Sequence, residues 1–474
     1  MKKTLIIGAG IAGSDVVREL NNSSEMNMKA VGYIDDDDNK IGKIIEKVKV
    51  LGSSKDIKQI IKKYSIDEII IAIPSAQGGD IDRFVNIAID LKIAYKIVPR
   101  VKEIIDGRAY LSSIRKVDIQ DLLGRPVIKD DVAGLKNFFM QKIILVTGAA
   151  GSIGSELSAQ IAAYKPKKLI LFDIWENGIF ELKQKLEETG YLKNVEYVIG
   201  NIQDSKRLKQ VFELYEPNYV FHAAAYKHVP LMEENPIEAL KNNIIGTFNV
   251  ADASLTSRVE KFVLVSTDKA AYPKNVMGMT KLFAEMIVGS MNGTTKFTAN
   301  GGTRFMTVRF GNVLNSNGSV IPIFRKQIER GGPVTVTDKK MTRYFMTIPE
   351  ASGLILKSAL LGRGGELFVL DMGKPISILS LAQKMIRLSG YIPDIDIKIV
   401  FTGIRRGEKL TEKLFTNSER LITTADGKIF ISKKNILFNN LKLAISAVND
   451  LINSGDNKKI KEQIMTIMSL SSKL

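Results

Sequence analysis

Two glycine-rich turns, each entered from a short β-branched apolar run and each opening a helical pattern, predict an α/β fold. Apolar runs and helical segments then alternate along the chain, as crossovers between parallel strands require. Together these observations predict two Rossmann-like parallel-sheet domains in tandem, the second with a smaller C-terminal substrate-binding subdomain. A length of 474 residues exceeds one ordinary core and fits this division. The expected boundaries are 1–98 for the first domain, 99–140 for a connector, 141–308 for the second nucleotide domain and 309–474 for the substrate-binding region and C-terminal helices.

Composition narrows the class. Hydrophobic residues make up 45% of the chain, enough for packed cores and too many for a disordered one. There is no cysteine and there are two histidines, which excludes disulfides, thiolate metal sites and a multi-histidine zinc site, so no metal is expected. No apolar run approaches the roughly 20 residues of a membrane-spanning helix. The start, Met1–Gly8, reads as a first strand and not a leader, because it runs straight into an amphipathic helix. The net charge of +17 is uneven: residues 1–140 hold 23 basic and 20 acidic side chains, residues 141–474 hold 45 and 31. A basic second part suits an anionic nucleotide ligand or an acidic membrane surface, and equally a set of solvated lysine faces. No basic run is interleaved with aromatics, so nucleic acid is not an expected partner.

The first turn is Gly8-Ala-Gly10-Ile-Ala-Gly13, after the strand Leu5-Ile-Ile7. The next strand, Ala30–Ile34, ends at Asp35, 27 residues beyond Gly8, where an acid can bond a ribose. Strands at Glu68–Ile73 and Tyr95–Val98 complete a small parallel sheet. Such a turn marks either a nucleotide or sugar-nucleotide site or an inherited fold with a structural turn. From Pro99 the chain reads as a connector, through Gly107 and Asp121-Leu-Leu-Gly-Arg125-Pro126, to a helix at Val132–Met140.

The second turn is more informative. The strand Ile143–Val146 leads into Gly148-Ala-Ala-Gly151-Ser152-Ile153-Gly154 and a helix, a spacing that lets backbone approach a pyrophosphate at a helix N-terminus. The strand Lys168–Phe172 ends at Asp173, 25 residues after Gly148. Ile174, Trp175 and Glu176 follow, with no basic residue to take a 2′-phosphate, which favours NAD over NADP. Further strand ends at Asn201-Ile202 and Ala223-Ala224-Ala225 are expected to line the adenine and the diphosphate.

The buried-looking strand Lys261–Val265 ends in Ser266-Thr267-Asp268-Lys269. A hydroxyl, a carboxylate and an amine thus stand side by side at the carboxyl edge of a parallel sheet, where ligands bind. Beyond Pro273, Met277 and Lys281 stand four apart on one face of a predicted helix. The plain reading is a capped strand end, the functional one a proton-transfer site.

The second glycine turn, the alanine run and a lysine following a strand-end hydroxyl resemble the extended short-chain dehydrogenase/reductase superfamily. Ala225-Tyr-Lys227-His228-Val-Pro-Leu-Met-Glu233, Asn243-Ile-Ile-Gly-Thr247, Ser266–Lys269 and Gly403-Ile-Arg405-Arg-Gly-Glu408-Lys-Leu410 resemble a narrower group, the CapD-like bacterial polysaccharide-biosynthesis family of UDP-N-acetylglucosamine 4,6-dehydratases. Gly32-Tyr-Ile-Asp-Asp36 and Asp121–Arg125 resemble its large members, so the likeness covers nearly the whole chain. Large members usually carry transmembrane helices ahead of the first nucleotide fold, and the chain as given has none. The expected location is cytoplasmic, with association with the inner membrane where the natural chain carries such helices. The superfamily's Tyr-x-x-x-Lys reads here as Met277-x-x-x-Lys281, a change similar to that in the large members.

The resemblance implies an NAD-dependent lyase for glycan biosynthesis, with a UDP-sugar substrate and a homo-oligomeric state. The implied reaction oxidises C4, eliminates water across C5–C6 and returns hydride to C6. On the matching positions, Thr267 bonds O4, Asp268 is the acid and Lys269 the base at C5, with Lys281 on the nicotinamide ribose and as the cation that depresses Lys269. Met277 cannot take a proton, which leaves the C4 hydroxyl proton to Asp268. The implied cofactor contacts are Gly148, Gly151, Ser152, Ile153, Gly154, Asp173, Asn201, Ile202, Ala223, Ala224, Ala225, Asn243 and Lys281. Substrate contacts are expected from Lys227, Asn312, Arg343, Arg405 and Glu408; His228 is read either as a sugar contact or as structural, and each arginine alone equally as a surface ion pair. A 4-epimerase and a non-catalytic NAD-binding sensor or scaffold are the alternative functions.

Overall fold

The structure is a computed structural model and describes residues 1–22, 27–76, 78–98, 121, 132–190, 194–294, 302–416, 419–432, 437–455, 457 and 459–473. Most of the expected connector lies outside the described residues, including the motif after Asp121. Its terminal helix is present at Val132–Phe139. The chain forms two compact units. One comprises Met1–Val127 with Phe324–Val334 and Leu381–Ile399, the other Ile128–Ile323, Thr335–Ser380 and Val400–Leu474.

In the first unit, β1 (Lys2–Ile7), β2 (Met28–Ile34), β3 (Ile44–Ile45), β4 (Val48–Gly52), β5 (Glu68–Ile71) and β6 (Ala94–Ile97) form one sheet in the order β3-β4-β2-β1-β5-β6. Every pairing is parallel except the β3–β4 hairpin, which the sequence reading does not contain. Gly8 (φ +102°) makes the turn after β1, and a Cβ on Gly13 would stand 2.0 Å from the Gly8 carbonyl oxygen. The segment Leu381–Ile399 is tied into this unit twice: Lys384 Nζ pairs with Asp82 at 2.8 Å, and the Tyr95 hydroxyl donates to the Leu388 carbonyl.

In the second unit, β7 (Ile143–Thr147), β8 (Lys168–Asp173), β9 (Val195–Ile199), β10 (Tyr219–His222), β11 (Lys261–Thr267) and β12 (Arg304–Phe310) lie in the order β9-β8-β7-β10-β11-β12, all parallel. This is the doubly wound order, whose switch point between β7 and β10 opens a crevice at the strands' carboxyl ends. Leu367–Leu370 extends the sheet in parallel, and Ile429–Ser432 and Leu421–Thr423 extend it in antiparallel. Side chains alternate along each strand. Leu145, Phe172, Phe262 and Leu264 meet the helices Ser205–Tyr215, Thr247–Thr256, Val276–Thr294, Leu441–Ser454 and Ile460–Ser471 on one face. Ile144, Val146, Leu171 and Val263 meet Val132–Phe139, Ser152–Ala163, Glu176–Glu188 and Ile348–Leu361 on the other. Burial on both faces is why these strands read as continuous apolar runs.

Candidate active site

The glycine turn after β7 is packed backbone on backbone. Gly148 has φ +67°, and a Cβ there would come within 2.5 Å of Ala224 N; one on Gly154 would stand 1.9 Å from the Gly148 carbonyl oxygen. Gly151 is the N-cap of the Ser152–Ala163 helix and has no side chain to take up the first-turn N–H groups. Asp173 accepts from Ala150 N through Oδ2 and from Trp175 N through Oδ1, both at 2.9 Å. Each oxygen keeps a lone pair, so the carboxylate can still receive ribose hydroxyls. Asp35 repeats the device in the first unit, accepting from Ala9 N and Asp37 N, and there Lys40 is also on the carboxylate at 3.1 Å. Of the other expected cofactor positions, Asn201 turns its side chain to Gln203 N, and Ile202 fills the space beside Gly246. Ser152 Oγ accepts from Asn317 N, and Ala223 N donates to the Thr147 carbonyl, which carries β10 into the Ala223–Ala225 run.

Beneath this run lies a fully buried histidine that the sequence reading passes over. His222 Nδ1 faces the Thr147 hydroxyl at 2.7 Å, and Nε2 faces Thr247 Oγ1 at 3.0 Å. Thr247 gives its own proton to the Asn243 carbonyl, so Nε2 carries the ring proton and Nδ1 accepts from Thr147. Burial, and secondarily the charge of Lys281, push His222 down to about 3, so it is neutral. Asn243, expected at the cofactor, sits in a π-helical stretch, Leu240–Gly246. Its amide bonds both the N–H and the carbonyl of Tyr226 and reaches Thr280, and in this structure it holds the Ala225–His228 loop in place.

The strand-end triplet comes together as a site. Asp268 is 0% exposed; its Oδ1 accepts from the Thr267 hydroxyl and from Lys269 Nζ, both at 2.9 Å. Its Oδ2 has no hydrogen-bond partner and lies 3.3 Å from where a Cβ on Gly311 would be. Lys269 Nζ also donates to Asn312 Oδ1 at 3.1 Å, joining the ends of β11 and β12. Lys281 donates to the Val265 carbonyl at 2.8 Å, and burial brings its ammonium down to about 8 against the pull of Glu285. The lysine whose affinity for a proton Lys269 depresses is Lys227, lowered by burial and then by that neighbouring charge. Lys281 is turned to the backbone of β11, at Val265. His228 is lowered by burial and by Lys227, and it packs against Gly318, where a Cβ would stand 2.6 Å from its ring.

Met277 is buried with Val229, Met232, Ala239 and Val276 in a small apolar cluster. It offers packing where the superfamily pattern has a phenol. Glu233 accepts from Val276 N at the start of the same helix and pairs with Lys461 and Arg406. The expected substrate arginines are placed differently from one another. Arg343 gives its guanidinium to the carbonyls of Thr342, Lys409 and Leu410, and so braces the 403–410 loop. Arg405, largely exposed, pairs with Glu408 at 3.2 Å.

Residues 144–434 match the family model described as polysaccharide biosynthesis protein, and residues 1–99 match a CoA-binding domain model. The capsular polysaccharide biosynthesis protein CapD of Staphylococcus aureus is 45% identical over 463 residues, covering 97% of this chain and 76% of its own. A UDP-N-acetylglucosamine 4,6-dehydratase (inverting) of Campylobacter jejuni is 35% identical over 287 residues, 60% of this chain and 80% of its own. Among solved structures, dTDP-glucose 4,6-dehydratase DesIV of Streptomyces venezuelae, with NAD and TYD bound, matches at a TM-score of 0.50. That match covers 57% of this chain and 87% of that one at 21% identity, and shows a shared fold. The doubly wound sheet, its glycine turn and strand-end carboxylate, and these extended matches agree: the chain belongs to the polysaccharide biosynthesis protein family, among the nucleotide-sugar dehydratases and epimerases of the short-chain dehydrogenase/reductase fold.

Proposed function

We propose that the protein is an NAD-dependent UDP-N-acetylglucosamine 4,6-dehydratase. The observation that carries this reading is the Thr267–Asp268–Lys269–Asn312 constellation around the buried Asp268, an acid and an amine locked together at one strand end with a carboxylate oxygen left over. The residues present fit the cofactor: Gly148, Gly151 and Gly154 let a pyrophosphate approach the helix N-terminus, Asp173 has free lone pairs for a ribose diol, and the residues that follow it, Ile174, Trp175 and Glu176, bring no cation for a 2′-phosphate. NAD when bound supplies the hydride acceptor and donor of such a cycle.

The chain's own groups take the proton steps. Thr267 bonds O4 of the sugar, and Asp268 receives the hydroxyl proton from C4, since Met277 has no proton to exchange. Once C4 is a ketone, the C5 hydrogen is acidic; Lys269 takes it while Asp268 gives its proton to O6, which leaves as water. Lys281 supplies positive charge under the ribose, and Lys227 meets the sugar. A 4-epimerase shares the C4 step but needs no acid–base pair reaching C5 and O6, so the Asp268–Lys269 pairing favours dehydration.

Proton NMR of the protein with UDP-N-acetylglucosamine and catalytic NAD tests this. A new methyl doublet with loss of the 6-CH₂ signals is expected, and the C5 coupling reads retention or inversion. Conversion to the galacto isomer without a methyl signal would make it an epimerase. Unchanged substrate with NAD bound would point to another sugar nucleotide or to a sensor role.

A further inference from the structure

Among the described residues the largest fully buried side chain is a cation, Arg309, 1% exposed and set directly opposite Ser266 in the β11–β12 register. Its Nε and Nη2 fork onto the two oxygens of Glu285, and its Nη1 holds Glu419 at 3.1 Å and the Leu414 carbonyl at 3.3 Å. Glu285 also accepts from the Ser266 hydroxyl. It lies one helical turn beyond Lys281, on the same face. The Val265–Ser266 step of β11 is therefore gripped twice by one helix, through its carbonyl by Lys281 and through its hydroxyl by Glu285. Thr416 N bonds Glu419 in turn, so the 414–419 loop is tied into the same cluster.

We infer that Glu285 is a positioning residue for Lys281: its carboxylate, fixed by Ser266 and by the buried guanidinium of Arg309, holds the same Val265–Ser266 step that Lys281 grips and stands one helical turn from that amine. The inference rests on the proposed reading only in giving Lys281 a cofactor to meet. The reason is electrostatic. Four charges are buried together here, Lys281 and Arg309 against Glu285 and Glu419, and they balance only while all four are charged. Burial drives the Lys281 ammonium towards its neutral form, and Glu285 is the group that opposes this. The other titratable group that the charge of Lys281 acts on is His222 on β10, which is neutral. Removing Glu285 would leave Arg309 with Glu419 alone and take away the carboxylate that supports the Lys281 charge.

Competitive labelling with trace acetic anhydride across pH 6–11, read by mass spectrometry on the peptide containing Lys281, reports this amine without cofactor or substrate. The wild-type protein should show an inflection near pH 8. In Glu285→Gln it should fall by about one pH unit or more, with Glu285→Asp restoring most of the wild-type value. Because Glu285→Gln leaves Arg309 half-paired and can unfold the protein, Glu285→Gln/Arg309→Met is measured beside it; a smaller fall is expected there. An unchanged inflection in either folded variant overturns the inference. NAD titration by fluorescence on the same samples separates the two readings: failure of the wild type to bind NAD removes the proposed function, while the response of Lys281 to Glu285 is unaffected by it.

Discussion

Lys269 bridges the ends of two neighbouring strands, its Nζ 2.9 Å from Asp268, just past β11, and 3.1 Å from Asn312, just past β12. The amine is thereby fixed from two sides, and the carboxylate keeps one oxygen, Oδ2, without a partner. If that oxygen handles protons, Asp268→Asn preserves the shape and removes the function. The expected result is a loss of about 10²–10⁴ in kcat, with NAD affinity unchanged. An enzyme assay alongside an NAD titration checks both, and an Asp268→Asn protein with most of its activity would sink the proton role.

The free oxygen faces Gly311. A Cβ there would lie 3.3 Å from Asp268 Oδ2, 3.0 Å from Tyr344 Cβ and 3.2 Å from Met372 Cε. Gly311→Ala should therefore displace the carboxylate by a few tenths of an ångström without unfolding the sheet. A roughly 10- to 100-fold loss of kcat with a near-normal melting temperature is expected. Wild-type kcat in a folded Gly311→Ala protein would mean that Oδ2 does not need this space.

Lys281 is 5% exposed, and its folded-state pKa of about 8 is below that of a free lysine. Between about pH 8 and the ordinary lysine value the unfolded chain binds more protons, so this group's contribution to stability rises with pH in that window. Below pH 8 the full cost of burying the ammonium is present. Lys281→Met should accordingly raise the melting temperature at pH 7 while abolishing activity, and its advantage over wild type should shrink as pH is raised through about 8–10. Calorimetry of the two proteins at several pH values reads the difference.

His222 works in the same direction at acid pH. Its folded pKa of about 3 lies below the ordinary histidine value, so the unfolded chain takes up the proton first as pH falls. Stability tied to neutral His222 is fully present above about pH 6.5 and is lost progressively down to about 3. His222→Gln, which can keep one bond to Thr147 or Thr247, should start from a lower plateau and show a flatter acid limb. A His222 ring that titrates near its ordinary value of about 6.5 by NMR in the folded protein contradicts the assignment.

Much of the fold is written locally. The two glycine turns, the strand-end acids Asp35 and Asp173 and the Thr267–Lys269 triplet all lie within a few residues of the strands that place them, so their positions follow from spacing. The strands of the doubly wound sheet are continuous apolar runs because both faces are covered, and β7, β8 and β11 start where the sequence predicts them and run one or two residues further. The antiparallel strands at Leu421–Thr423 and Ile429–Ser432 and the β3–β4 hairpin are too short for any periodicity to announce them.

What the sequence by itself determined, then, is the pair of nucleotide folds and the chemical groups at the end of β11, because both depend on contacts a few residues long. The tertiary structure decided how the remaining polar groups are used. It ties Asn243 to the backbone of Tyr226, gives Arg343 to the carbonyls of a loop 66 and 67 residues away, and puts Lys227 under the influence of Lys269. It also buries Arg309 between Glu285 and Glu419, 24 and 110 residues away. A guanidinium or an amide can satisfy its donors in many ways, and which way prevails is set by desolvation and by the partners that packing brings within about 3 Å, neither of which is a property of the residue's neighbours in the chain.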